Sequence, residues 1–129
     1  MYLYINTTER DSFEIALFDK DFVIKKKRVQ SHRKHSEKLL KSIEQILSSK
    51  KAQLKDVQGI MVVRGPGSFT SLRIGITTAN ALAFGLNIPV KGVDKVENLN
   101  IITSSIDNIF KSKNKIIVIP EYGREPHIT

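Results

Sequence analysis

Cysteine and tryptophan are both missing from this chain of 129 residues, and aromatic side chains make up only 7% of it. Without cysteine there is no disulfide and no thiolate chemistry, so a disulfide-stapled secreted scaffold is excluded. The opening apolar stretch, Met1 to Ile5, is far shorter than the roughly 20 residues of a membrane-spanning helix. We therefore expect a cytoplasmic protein that makes no contact with a membrane.

Acidic residues are scarce relative to basic ones: 13 Asp and Glu stand against 21 Lys and Arg, which gives a net charge of +8. Much of the positive charge lies in Lys25–Arg28 and in His32–His35. Such clusters can attract a polyanion. Lysines on an edge strand can equally block pairing with another sheet, or simply be solvated. Because no aromatic residue is interleaved with them, a stacking platform for single-stranded nucleic acid is not indicated.

What the chain does contain is an alternation of short apolar strands and amphipathic helices. The hydrophobic periodicity predicts five strands and two long helices, with a weakly helical stretch after them. The strands are Met1–Asn6, Phe13–Leu17, Phe22–Val29, Ile60–Val63 and Ile88–Val93; the helices are His35–Ser49 and Phe69–Gly85; the weakly helical stretch is Lys95–Ile109. The first three strands should form an antiparallel meander and the last two a parallel pair. The pattern predicts a single α/β domain.

The most informative segment is Arg64–Gly75, which leads from the fourth strand into the second long helix. Gly65 and Gly67 allow a sharp turn and a close approach to a neighbour, and Ser68 is a suitable N-cap. Amides at a helix N-terminus can bind an anion, and a tight turn that holds no ligand is the alternative. The candidate anion site comprises Gly65, Pro66, Gly67, Ser68, Phe69, Thr70 and Arg73.

Residues Gly65 to Gly75 resemble the signature of the TsaB family, also called YeaZ, although the family has Gly where this chain has Ser71. Three flanking segments, in the same order, are similar to the family's opening strand, its first helix and the strand after the signature helix. These segments are Tyr4–Thr8, His35–Leu40 and Ile88–Val93. The resemblance covers about the first hundred residues.

The resemblance implies a fold, the ribonuclease H-like lobe of the actin, sugar-kinase and Hsp70 group, with helices on a mixed five-stranded sheet. It also implies two segments: residues 1–110 as this lobe, and residues 111–129 as the remnant strand and tail of a second lobe. Lys115–Ile119 resembles the first strand of that second lobe. Pro120 stands where the family has Asp, and Glu125 matches a following Glu, but Pro126 would cut short the next strand.

Proteins of this fold group often bind ATP through the turn after the first strand, which is Asn6–Glu9 here. Asn6 lacks the charge that holds a hydrated magnesium ion, and Glu9 would repel phosphate. We therefore predict no catalytic residue and no cofactor of the chain's own.

The chain has three histidines, and the only carboxylate close to a pair of them in sequence is Glu37. Because one pair of imidazoles is a poor metal site, we expect solvated or capping histidines and no bound metal. The histidines are His32, His35 and His127.

The two long helices should carry the partner surface. A broad aliphatic face of the second helix should cover the sheet: Leu72, Ile76, Ala79, Leu82, Ala83 and Leu86. A small-residue face of that helix and the shoulders of the first helix remain as candidate partner interface: Ser71, Ile74, Thr78, Ala81, Leu40 and Leu47. In the family, the two corresponding helices form a helical bundle with TsaD or with a second copy. The alternative is that the C-terminal segment of this chain covers the small-residue face.

In the TsaB family, the protein is the non-catalytic partner of the TsaD threonylcarbamoyltransferase. The resemblance therefore implies an accessory subunit that binds and activates a TsaD-type subunit in tRNA threonylcarbamoyladenosine modification. ATP and magnesium would belong to the complex, and tRNA would be bound through it, with direct contact and a homodimer left open. The alternatives are a stand-alone nucleotide-binding enzyme with an actin-like fold and a homodimeric tRNA-binding scaffold.

Overall fold

A mixed sheet of five strands forms the centre of the computed structural model, which describes residues 1–112 and 117–120. The strands are β1 (Tyr2–Asn6), β2 (Ser12–Phe18), β3 (Val23–Gln30), β4 (Gly59–Val63) and β5 (Val90–Val93). They lie in the order β3-β2-β1-β4-β5. β2 is antiparallel to β1 and to β3, whereas β4 is parallel to β1 and to β5. The predicted meander and the predicted parallel pair are both confirmed.

The described residues also form four α-helices, two long and two of a single turn: α1 (His35–Ser48), α2 (Phe69–Leu86), α3 (Asn100–Thr103) and α4 (Ile106–Ile109). A single-turn 3-10 helix, Leu54–Asp56, precedes β4. Both long helices end within one residue of their predicted bounds. Strand β5 begins at Val90, two residues later than predicted. The reason is that the Ile88 amide donates to the Ala83 carbonyl (3.0 Å) and Asn87 is left-handed (φ 58°), so these residues close the end of α2.

The two faces of the sheet are covered differently. One face packs against α1 and α2 and buries Leu3, Ile5, Ile15, Ile60 and Val62. The other face packs against α3 and α4 and buries Tyr4, Ala16, Phe18, Met61 and Val63. Every residue of β4 is buried, as expected for a continuously apolar strand that is covered on both faces.

The segment near the C-terminus is held by a side chain of α2. The Val118 amide donates to Asn80 Oδ1 (2.9 Å), and the Val118 carbonyl accepts from Asn80 Nδ2 (3.0 Å). Within the described piece 117–120, no strand is assigned. The rest of the predicted strand Lys115–Ile119, as well as Glu125, Pro126 and His127, lies outside the described residues. The predicted boundary near residue 110 stays a prediction.

Candidate functional site

The turns that follow β1 and β4 lie side by side, because neighbouring parallel strands end at the same edge of the sheet. The Ser68 amide donates to the Thr8 carbonyl oxygen (2.9 Å). A Cβ placed on Gly67 would lie 2.7 Å from that oxygen and 2.8 Å from the Thr8 Cα. Gly65 has a φ of 129°, a conformation that favours glycine. The predicted sharp turn and close approach are confirmed, and the neighbour is the turn after β1.

Helix α2 also contacts the turn after β1, through Gly75 and Thr7. A Cβ on Gly75 would overlap Thr7 Oγ1 and lie 2.8 Å from the Thr7 Cγ2. Thr7 is fully buried, and its hydroxyl has no hydrogen-bond partner within the described part of the chain. Gly67 and Gly75 therefore let the signature turn and helix pack directly onto the β1 turn.

The β1 turn is occupied by its own hydrogen bonds. Asn6 Oδ1 accepts from the Thr8 amide (3.0 Å) and from the Thr8 hydroxyl (2.8 Å). This is an Asx turn, in which the side chain closes the backbone locally. The Asn6 carboxamide oxygen thus stabilises the turn itself.

The start of α2 corrects one detail of the sequence prediction. Ser68 occupies the N-cap position, but its side chain makes no capping hydrogen bond. Its amide is used by Thr8, so that donor is not available to an anion. Arg73 lies over the Phe69 ring, with 5.7 Å from its guanidinium carbon to the ring centroid. Anion binding at this turn stays a prediction.

Glu9 closes the β1–β2 connection through a polar cluster. Its Oε2 accepts from the Ser12 hydroxyl (2.9 Å) and from Arg28 NH1 (3.1 Å). Arg28 also donates to Ser12 Oγ (3.0 Å). The Ser12 hydrogen bond, with the positive charge of Arg28, lowers the pKa of the Glu9 carboxyl below its usual value. The acidic residue predicted to repel phosphate is therefore ionised and paired within the chain.

His35 is buried, which corrects the prediction of a solvated or capping side chain. Its Nε2 lies 2.7 Å from the Glu9 carbonyl oxygen, and its Nδ1 lies 2.5 Å from the Ser31 hydroxyl. Because a carbonyl only accepts, Nε2 carries the proton of this bond. The imidazole also packs edge-on against Phe13 at 5.3 Å between ring centroids. His35 therefore ties the first turn of α1 to the β1–β2 connection, whereas His32 is exposed.

A groove of about 350 Å³ runs between the start of α1 and the outer side of α2. Its walls combine small, hydroxyl-bearing and aliphatic side chains with one cation. The lining residues are Ser36, Thr70, Arg73, Ile74, Thr77 and Thr78. Ser36 and Thr77 were not predicted from the sequence, because only the meeting of the two helices brings them together.

The six predicted interface residues divide by burial. Leu40 and Ala81 are exposed, and Ile74 and Thr78 are half-buried. The prediction is wrong for Leu47 and Ser71, because both side chains are buried and have almost no surface to offer a partner. The Ala52 amide donates to the Leu47 carbonyl (3.0 Å), so the chain turns back at the end of α1. Ser71 lies one turn before Gly75, on the side of α2 that is pressed against Thr7.

One large apolar side chain on α2 was not predicted as a surface feature. Phe84 is 90% exposed and follows Asn80 by one turn. Its position at helical spacing from Thr77 and Asn80, within a polar strip, was the available signal. Within the described residues, the C-terminal piece hydrogen-bonds Asn80 of this strip and makes no hydrogen bond to Thr78 or Ala81.

The structure also shows where the basic residues of the predicted third strand lie. β3 is an edge strand, and the side chains of Lys25–Arg28 on it are exposed. Among residues 1–112 and 117–120, no three His, Asp or Glu side chains come together as a metal site would require. None of the helices in that same part of the chain has the length and apolar character to cross a membrane.

Both the sequence and the fold of this chain are similar to those of known proteins. Residues 28–109 match the family model described as "TsaD: tRNA N6-adenosine threonylcarbamoyltransferase". The chain is 34% identical over 92 residues to the tRNA threonylcarbamoyladenosine biosynthesis protein TsaB of Bacillus subtilis, which covers 71% of this chain and 40% of that protein. It is 47% identical over 66 residues to the tRNA N6-adenosine threonylcarbamoyltransferase of Geotalea daltonii, covering 51% of this chain and 19% of that protein.

The fold is similar to that of YeaZ from Pseudomonas aeruginosa, with a TM-score of 0.66 and 30% sequence identity. That match covers 72% of this chain and 43% of the solved chain. The chain therefore spans less than half the length of these three relatives.

Proposed function

This chain belongs to the TsaB/YeaZ family, within the wider family that the TsaD model describes, and from that premise we propose that it is a non-catalytic subunit. In this proposal it binds and activates a TsaD-type threonylcarbamoyltransferase that modifies tRNA to threonylcarbamoyladenosine. The TsaB relative, a tRNA threonylcarbamoyladenosine biosynthesis protein, supports a place for this chain in the biosynthesis of that nucleoside. The binding and the activation are the steps that experiment must test.

The observation that carries the proposal is the outer flank of the α1–α2 pair. Leu72 and Ile76 are the buried residues of α2 that cover the sheet, and the groove is lined by other residues, of which Ile74 also packs against the core. Leu40 leaves 44% of its surface exposed beside it. Apolar surface of this kind, next to small residues that permit close helix approach, is typical of a helix-packing interface.

A non-catalytic role is supported by the β1 turn. The Asn6 carboxamide oxygen is held by Thr8, and Gly67 and Gly75 of the signature pack against the same turn. A phosphate group placed there would have to displace these contacts. These contacts argue against the stand-alone nucleotide-binding enzyme. We accordingly propose that ATP and magnesium are bound elsewhere in the complex, and that the complex works in the cytoplasm.

The partner assay decides the main proposal. The chain and the TsaD-type protein of the same organism would be co-expressed with a tag on one of them, then purified and assayed for threonylcarbamoyl transfer to tRNA. We expect co-elution and a higher transfer rate than with the TsaD-type protein alone. A chain that neither co-elutes nor raises the rate would contradict the proposal.

The non-catalytic part has its own test. The purified chain should hydrolyse no ATP above a buffer background. Asn6→Ala serves as the control, since it removes the oxygen that closes the β1 turn. Steady hydrolysis by the original chain that disappears in Asn6→Ala would show that the turn takes part in catalysis.

A further inference from the structure

The four consecutive basic residues of β3 point to opposite faces of the sheet. Lys25 and Lys27 lie opposite Leu17 and Ile15, whose side chains are in the core beneath α1 and α2. Directly opposed residues of an antiparallel pair share a face. Lys25 and Lys27 are therefore on the α1 side of the sheet edge, and Lys26, between them, is on the other.

Helix α1 presents a matching stripe toward this strand. Lys38, Lys41 and Gln45 follow one another at spacings of three and four residues, so they share one side of the helix, and Lys34, the N-cap residue, precedes Lys38 by four residues. Lys27 Nζ donates to Gln45 Oε1 (3.5 Å), and Lys38 Nζ donates to the backbone carbonyl of Gln30 (3.3 Å). These two contacts join the stripe to β3 at two points along the helix. We call the resulting set the lysine channel: Lys25, Lys27, Lys34, Lys38 and Lys41.

The lysine channel carries positive charge that no ion pair among the described residues neutralises. Within residues 1–112 and 117–120, ion pairs engage Arg28, Arg33 and other cations, but none engages a channel lysine. Four of the five side chains are exposed and Lys38 is half-buried. The neutral groups that line the channel with them are Gln30 and Gln45. Two exposed carboxylates of α1, Glu37 and Glu44, lie beside the channel, and among the described residues neither forms an ion pair with a channel lysine. The channel itself is thus cationic and polar.

This composition favours a phosphate backbone over a protein surface. The centres of protein interfaces are depleted in lysine and enriched in aromatic and other apolar residues, which the channel lacks. A lysine ammonium binds phosphate as a point charge. With no aromatic side chain to stack on bases, contact would be with phosphates alone. We propose that the lysine channel binds the sugar-phosphate backbone of a nucleic acid, without preference for base sequence.

The channel is long enough for several phosphates. Lys34 and Lys41 are separated by about 10 Å along α1, and Lys25 and Lys27 by about 7 Å along β3. One nucleic acid strand carries a phosphate about every 3.4 Å of helix axis. This inference goes beyond the proposed function, because it needs no second protein. Its failure would leave the partner assay unaffected.

The experiment measures binding of a short fluorescent oligouridine RNA to the purified chain over a range of salt concentrations. Each lysine that neutralises a phosphate of a single strand contributes about 0.7 to the slope of log affinity against log salt. The variant Lys27→Gln/Lys38→Gln/Lys41→Gln should therefore lower the slope by about 2 and weaken binding on the order of 100-fold at about 0.1 M salt.

A matched control removes the same charge from elsewhere. Lys26→Gln/Lys55→Gln/Lys111→Gln replaces three exposed lysines outside the channel, one of them on the opposite face of β3. Circular dichroism would verify that both variants are folded. We expect the control to keep most of the affinity and slope of the original chain. Equal losses in the two variants would mean a response to net charge and would overturn the proposal.

Two further ligands test whether the channel binds a nucleic acid or an acidic polypeptide. An oligothymidine DNA of the same length should bind with a similar slope, since the phosphate chemistry is shared. A polyglutamate peptide should bind weakly. Binding of polyglutamate but not of either nucleic acid, lost in the channel variant, would assign the channel to an acidic protein and overturn the proposal.

Discussion

The two flanks of helix α1 differ in chemistry although the same helix forms both. The flank toward α2 carries Ser36 and Leu40 and faces a groove of small and aliphatic side chains. The flank toward β3 carries Lys38 and Lys41 and no apolar side chain. Between the flanks, Leu39 and Ile43 are buried in the core and set the rotation of the helix. The buried face of α1 thus separates two exposed flanks. The flank toward α2 is suited to packing against another helix, and the flank toward β3 is suited to binding a polyanion.

The largest expected effect tests the α2 flank. Thr78→Glu or Ala81→Glu would place a carboxylate in the proposed helix interface, where an unpaired buried charge costs several kcal/mol. Association with a TsaD-type partner or a second copy should weaken by orders of magnitude, since about 1.4 kcal/mol is tenfold in affinity. Sedimentation gives the association, and circular dichroism verifies the fold.

Gln45→Glu is the control for that prediction, because it adds the same charge to α1 on the β3 flank. It should leave association unchanged. If Thr78→Glu and Ala81→Glu both associate like the original chain, the interface lies elsewhere. If they unfold, the α2 flank is part of the core.

A second prediction concerns the contact that positions α2. Gly75→Ala would push a methyl group into Thr7, and overpacking of this kind typically costs about 1–3 kcal/mol. The free energy of unfolding in urea should fall by that amount, and partner association should weaken with it. RNA binding at the lysine channel should be retained in the folded fraction, because α1 and β3 form the channel.

Gly85→Ala is the matched control on the same helix. No atom lies within 4 Å of a Cβ placed there, so alanine should raise stability by about 0.5–1 kcal/mol through helix propensity. Equal stability of Gly75→Ala and Gly85→Ala would show that α2 does not pack closely on the β1 turn.

A smaller effect on stability is expected from Glu9, whose partner Arg28 lies on the face of β3 opposite the lysine channel. Glu9 has a lowered pKa in the folded chain, because it accepts from Ser12 and pairs with Arg28. Its contribution to stability is therefore present above the unfolded-state pKa and is lost as pH falls through the folded-state value. Since the pair is about half exposed, Glu9→Gln should cost less than about 1 kcal/mol at neutral pH and nothing in acid.

Urea unfolding of both proteins across the acidic range measures this difference. An equal loss of stability at neutral and at acidic pH would show that Glu9→Gln acts through packing. That outcome would mean that the ion pair with Glu9 contributes no stability. Arg28 would then differ from the channel lysines in its geometry but not in its effect on stability.

The smallest expected effect is on association when charge is removed from β3. Lys25→Gln/Lys26→Gln/Lys27→Gln should leave partner association within error of the original chain, because β3 is at the far edge of the sheet from the α2 flank. Sedimentation checks this directly. A loss of association with the fold preserved would place these lysines in the protein interface.

The sequence by itself determined the elements and their local chemistry. Short apolar runs, period-two alternation and helical spacing located the five strands and both long helices, because the two periods follow from backbone geometry. Gly67 predicted a close approach, since only glycine lacks the Cβ that would prevent it. The aliphatic face of α2 was recognisable, and Leu72, Ile76, Ala79 and Ala83 on it are buried. Each of these features depends on residues near one another in the chain.

Only the tertiary structure decided which neighbour each face meets. His35 is buried because Glu9, 26 residues away, supplies a carbonyl to its ring. Leu47 and Ser71 lost their predicted exposure to packing beyond their own helices. The basic residues of β3 divide between two faces because β2 sets their register. Periodicity orients side chains within an element, but their burial and partners depend on contacts between elements far apart in sequence, which no local pattern encodes.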